Sequence, residues 1–228
     1  MREKINLLIA ATALSVTASP VQAGEAEGGP FAVIQCPTKG KAVTRSHDLS
    51  TGVAPWIVGG PNLPEIQRQI ATPITESTLP KGWSARMPGA RWVQAMAVSD
   101  LAMDAPGDYF FAISFSVPKQ KRMPRLTLDG AFIADDTFQL DLAEPAPPNS
   151  SIGHGVGRMN LDNQPGKAPQ DEVQSFTITE TGDGSGKPLG HRPGLYTIRI
   201  DVQNGMAPHA ALGLIARIKL TANCAGGK

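Results

Sequence analysis

The stretch Tyr109-Phe110-Phe111-Ala112-Ile113-Ser114-Phe115-Ser116-Val117 decides the fold. Phe111, Ile113, Phe115 and Val117 alternate with Phe110, Ala112, Ser114 and Ser116. One face is large and apolar, the other mostly small or polar. That period of two belongs to a half-buried antiparallel strand. Working outward, Leu195 to Val202 repeats the pattern, with Tyr196, Ile198, Ile200 and Val202 on one side and Thr197, Arg199 and Asp201 on the other. Arg91 to Val98, Arg125 to Phe132, Ile133 to Leu142 and Val173 to Thr179 read as further strands. Ala210 to Leu220 has a helix-compatible composition, but its β-branched neighbours favour a strand. Shorter β-prone runs lie at Phe31 to Cys36, Lys41 to Arg45, around Trp56 and over Ile66 to Ile74.

Between these runs stand 24 Gly and 20 Pro in 228 residues. Both are costly inside helices and common in turns. No long helical period and no internal repeat is visible. The expectation is an all-β fold, an antiparallel β-sandwich of jelly-roll type, in a single domain over 31–228. The pattern breaks at Ala143 to Gly157, which holds three prolines and three glycines, and residues 158–171 stay polar. A long irregular excursion is expected over 143–171, a natural place for function.

The first 23 residues read as an export signal. Arg2 and Lys4 precede the short apolar run Leu7 to Val16, and Val21-Gln22-Ala23 ends in a small-residue cleavage pattern. Residues 24–30 read as a flexible lead-in. No other apolar stretch is long enough for a membrane helix, so no membrane insertion of the mature chain is expected. Export to a secreted or periplasmic location gives Cys36 and Cys224 a meaning. In an oxidising compartment two cysteines are most simply one disulfide. Two free thiols or a two-ligand metal site are the alternatives, and two cysteines alone do not complete a tetrahedral zinc site. The disulfide would require the chain ends to lie side by side, with the first and last strands as neighbours.

The formal charge is +1, with 21 Lys+Arg against 20 Asp+Glu. Losing Arg2, Glu3 and Lys4 with the signal brings it to zero. No electrostatic footprint for nucleic acid remains.

A family resemblance spans about residues 83–220. It is carried by Gly89-Ala90-Arg91-Trp92, Gly107 to Phe111 through Val117, Ala134-Asp135-Asp136, Pro193 to Thr197 through Asn204, and Leu212-Gly213-Leu214. In this order they resemble the galactose-binding-like, carbohydrate-binding-module-like jelly rolls of bacterial secreted and surface proteins. The resemblance implies a β-sandwich that binds carbohydrate or mediates adhesion. Two departures stand out. The family's Leu-Asn-Gly turn is replaced by Leu142-Ala143-Glu144-Pro145, and Tyr196 stands where the late turn usually has Asn.

Candidate sites follow from residue chemistry. Trp83, in a loop, is the best exposed aromatic platform for a sugar face. Asp135 and Asp136 offer carboxylates to a ligand, although adjacent strand positions point to opposite faces and a strand-entry turn also explains them. His154 and Arg158 lie in Gly153 to Arg158, which has the glycines of a phosphate loop without its Lys-Ser/Thr or following helix. Asp183 and Ser185 supply oxygens on a turn-rich loop, for which calcium is the cation, without the full EF-hand pattern. Trp56 and Trp92 read as core. No HExxH, no G-x-S-x-G elbow and no His at metal-ligand spacing is present.

Two readings lead: an exported, non-catalytic module binding a ligand such as a glycan, or a structural subunit of an envelope or extracellular assembly. A hydrolase with an unmarked site is third.

Overall fold

The computed structural model describes residues 30–60, 69–75, 79, 87–94, 107–134, 137–145, 154–159, 173–181, 185–204 and 212–226, with backbone alone at Gln69, Thr137, His154–Met159 and Asn204. Among these the fold is all β, with no helix. The first sheet contains β1 (Ala32–Val33), β3 (Ile57–Gly59), β4 (Gln69–Ile70), β7 (Gly107–Val117), β9 (Thr137–Pro145), β10 (His154–Met159) and β12 (Gly194–Asn204). Its order is β10-β9-β12-β7-β3-β4, antiparallel throughout, with β1 added parallel to β7. The second sheet contains β2 (Val43–Asp48), β5 (Thr72–Pro73), β6 (Val93–Gln94), β8 (Arg125–Ala134), β11 (Gln174–Ile178) and β13 (Gly213–Cys224). Its order is β11-β8-β13-β6-β5, with β2 also on β13, and every pairing is antiparallel.

The two sheets share one core because each long strand alternates. Phe111, Ile113, Phe115 and Val117 of β7 meet Leu126, Leu128 and Phe132 of β8 and Ile218 and Leu220 of β13 in one buried cluster. The decisive alternation of Tyr109 to Val117 therefore points as expected. Trp56 and Trp92 are buried too, and the Trp56 indole N–H donates to the Leu49 carbonyl at 2.8 Å. Burying Tyr196 is made tolerable in the same way. Its hydroxyl donates to the Arg192 carbonyl at 2.8 Å, and its ring stacks on Phe115 at 5.2 Å. A strand-entry tyrosine bonded to backbone a few residues upstream is a corner device of two-sheet β folds.

A smaller apolar cluster lies on the outer face of the second sheet. Ile74, Met87 and Trp92 cover Ala131, Ile133 and Ile215 there. Among the described residues, the rest of that outer face is uncovered.

Cys36 and Cys224 form a disulfide with Cα atoms 5.5 Å apart. The expected neighbours differ, however. The last strand, β13, pairs with β2, while β1 lies in the other sheet against β7. The reason is that Ala32 and Ile34 bury beside β7, with Phe31 and Ile34 donating N–H groups to Ser114 and Ser116 carbonyls. The chain then changes sheets before β2. Cys36 lies on that crossing, so the disulfide ties the crossing to the end of β13.

Part of the span expected to be irregular is strand. Ala143, Glu144 and Pro145 complete β9, and β10 pairs with it from His154↔Pro145 to Met159↔Leu140. Glycines at 155 and 157 hid a strand with little side-chain pattern to read. Arg125 to Leu142 divides at residues 135 and 136, between β8 of one sheet and β9 of the other.

Candidate functional site

The outer face of the second sheet is built by adjacent strands whose inward residues are fixed in the core. On β13, Ala216, Ile218 and Leu220 are buried, so the alternate Arg217 and Lys219 must project outward. The same logic places Asp129 and Ala131 of β8 and Ser175 and Thr177 of β11 on that face. Register then brings them into rows. Thr177, Asp129, Lys219 and Asp48 face one another across four strands. Ser175, Ala131 and Arg217 form the next row.

These residues line a groove of about 800 Å³, with Ser46 and His47 along one side and Pro88-Gly89 at its wall. That volume falls in the range of small-ligand sites, roughly 300–1,000 Å³. Gly89 takes a positive φ of 82° at the wall, which suits a turn without a Cβ penalty. Beneath the floor, Gly130 turns its Cβ position to the core face, where a Cβ would meet the Phe176 ring at 2.4 Å, so the phenyl packs under the glycine.

The local hydrogen bonds order the groove's edge. Ser50 and Thr51 accept the Ile218 and Ala216 N–H groups through their hydroxyl oxygens, at 3.2 and 3.0 Å. The Thr51 hydroxyl donates to the Arg91 carbonyl at 2.6 Å. Asp48 Oδ1 accepts the Ser50 N–H at 3.0 Å, which holds that carboxylate at the rim. Thr177 Oγ1 donates to Asp129 Oδ1 at 2.9 Å. Arg217 and Lys219 have no hydrogen bond or ion pair among the described residues. The groove therefore presents donors and acceptors in alternation, with two cations uncommitted.

The first sheet's outer face is different. Arg199 Nε donates to Asp201 Oδ1 at 2.7 Å, and the guanidinium lies 4.5 Å over the Phe110 ring. Burial raises the Asp201 carboxyl above the usual range, the Arg199 hydrogen bond and charge oppose it, and Asp141 and Asp108 add to the rise. Ser114 and Thr197 hydroxyls bond to each other at 2.8 Å. This surface is largely self-satisfied.

Trp83, Asp135, Asp136 and Asp183 lie outside the described residues. His154 and Arg158 belong to β10, in the first sheet, and their backbone is not on the groove's floor. Ser185 is exposed, and its hydroxyl pairs with Thr181 Oγ1 at 3.1 Å in the loop closed by the Glu180–Pro188 bridge. Among the described residues no group of three or more His, Cys, Asp or Glu is placed to hold a metal ion. The signal for the groove was present in the alternation of Ser175/Thr177, Asp129 and Arg217/Lys219. What the alternation lacked was the strand order that makes those three pairs neighbours.

No protein-family model, no curated protein and no solved structure matches this chain. The class that the structure defines is thus an all-β protein of two antiparallel sheets, closed by a disulfide and carrying a polar groove on one outer face. The disulfide fits a compartment outside the reducing cytosol. Among the described residues no helix is long and apolar enough to cross a membrane.

Proposed function

We propose that the chain is an exported, non-catalytic binding module of jelly-roll type whose second-sheet groove takes a glycan. The observation that carries the reading is the groove itself, with hydroxyls, carboxylates and two uncommitted cations on a rigid sheet floor. A saccharide offers hydroxyls that both donate and accept. Asp48 and Asp129 accept from them, Arg217 and Lys219 donate to them, and Ser46 and Ser175 do either. Sites built on strands hold such groups in place at little ordering cost. The jelly-roll element of the reading is supported by the way successive long strands, β7, β8 and β9, change sheets. A glycan array with the disulfide-bonded protein tests the function. Retention of a saccharide that is lost when Asp129 and Lys219 are both replaced by Ala is expected, and an array with no retained saccharide would contradict it.

A second reading, an assembly subunit, is favoured by one feature of the opposite face. Val33, Ser116 and Leu195 share a cross-strand row, and Val33 and Leu195 are 57% and 47% exposed. Exposed apolar rows of this kind serve protein contacts. Cross-linking in the native compartment tests it: Val33→Asp and Leu195→Asp together would abolish a cross-linked partner, and a chain that cross-links to nothing would contradict it.

A further inference from the structure

We infer that the groove selects acidic saccharides, with Arg217 as the residue that receives the carboxylate; this rests on the glycan reading above. The two cations on β13 are not equivalent. Lys219 is opposite Asp129 on one side and Asp48 on the other, so its charge is already bracketed by two carboxylates. Arg217 is opposite Ala131, with Ser175 beyond it, and has no acidic residue in its row. At the next strand toward β2 the chain offers the Ser50 hydroxyl, which is occupied by the Ile218 N–H. Among the described lining residues, Pro88 and Gly89 bring no charge. The groove is therefore polarised along β13. Among the described residues, one end holds a guanidinium whose row carries only Ala131 and Ser175, and the other holds a carboxylate–ammonium–carboxylate row.

That polarity specifies the ligand. A guanidinium fork matches a carboxylate in two parallel hydrogen bonds, which a compact ammonium does not. Two positions along β13 away, Asp48 and Asp129 repel a second anionic group and accept hydroxyl protons instead. The complementary ligand carries one carboxylate with hydroxyls spaced around it, which describes a uronic-acid unit in a chain. An acidic peptide fits less well. Its charges would meet Asp48 and Asp129, and its backbone would find no free edge on β8 or β13, which are each paired on both sides.

The test uses the full disulfide-bonded protein and calorimetric titration. The probes are oligomers of galacturonate, glucuronate and mannuronate, each as the free acid and as the methyl ester, together with poly-glutamate. Esterification removes the charge and keeps the sugar. At least one free acid should bind about ten- to a hundredfold more tightly than its ester, as expected for a charge-assisted bidentate contact. Arg217→Ala should erase that difference, and Arg217→Lys should keep part of it. Arg199→Ala, on the other sheet, should leave it intact. Acid and ester binding equally would overturn the inference while leaving the glycan reading in place. Poly-glutamate binding as tightly as the best saccharide would overturn it in favour of an acidic protein ligand. No saccharide binding in either form would overturn both the inference and the reading it rests on.

Discussion

Arg199 and Arg217 occupy similar places, each mid-strand on the outer face of a sheet, yet they are used differently. Arg199 is consumed by its own surface. It bonds Asp201 at 2.7 Å and covers Phe110, whose ring in turn lies where a Cβ on Gly59 would be. Arg217 has neither an acid nor an aromatic in its row. Residue type alone says little about what a surface arginine does. Its cross-strand neighbours decide whether the charge is spent within the fold or left for a ligand.

Both faces depend on the sheets staying together, so the largest expected effect comes from the disulfide. Replacing Cys36 and Cys224 by Ser should lower unfolding stability by about 2–5 kcal/mol, read from urea unfolding. An unchanged midpoint would mean that neither face needs the crosslink. Arg217→Ala comes next: it should cost a bound acidic saccharide about 1.5–3 kcal/mol while leaving thermal stability nearly unchanged. A fall in stability equal to or greater than that of Arg199→Ala would give Arg217 a structural role instead.

Tyr196→Phe should destabilise by about 0.5–1.5 kcal/mol, because the half-buried Arg192 carbonyl loses its donor. The same residue gives a pH signature. Burial pushes the Tyr196 hydroxyl up to about 12, with the Glu144 charge adding to the rise and backbone hydrogen bonding at Arg192 opposing it. An unfolded tyrosine ionises near 10. The neutral form is thus the one the fold favours. Its contribution is complete below pH 10 and is lost as pH rises from 10 to 12. Unfolding curves at these pH values should show a loss in the parent that is absent in Tyr196→Phe. Smallest of all, Arg199→Ala should cost about 0.5–1 kcal/mol, consistent with a half-exposed pair and one cation–π contact, and should not alter ligand affinity. An effect on affinity would erase the distinction between the faces.

Much of the fold was legible because its longest strands bury one face. Tyr109 to Val117 and Leu195 to Val202 could only be read one way. Trp56 and Trp92 were legible as core from their apolar surroundings, and two cysteines allowed one connectivity. The partner of β1 was not legible. Ala32 and Ile34 carry no mark that selects β7 over β13, and the choice is made by a tertiary edge. Strand β10 was hidden by its glycines. Tyr196 was read as a departure from a turn pattern, although Pro193-Gly194-Leu195-Tyr196 places a tyrosine at a strand entry, where a corner hydrogen bond forms. The groove was the least legible feature. Each of its residues is an ordinary outward-facing polar residue, and only the order β11-β8-β13-β2 gathers them.

Amide chemical-shift mapping of the isotopically labelled protein, titrated with the acidic oligosaccharide that it binds, locates the ligand on one face or the other. Shifts are expected to cluster at Asp48, Asp129, Ser175, Thr177, Arg217 and Lys219, strongest near Arg217, with Phe110, Arg199 and Asp201 unmoved. Shifts centred on Arg199 and Asp201, or spread along β10, would contradict a ligand in the groove.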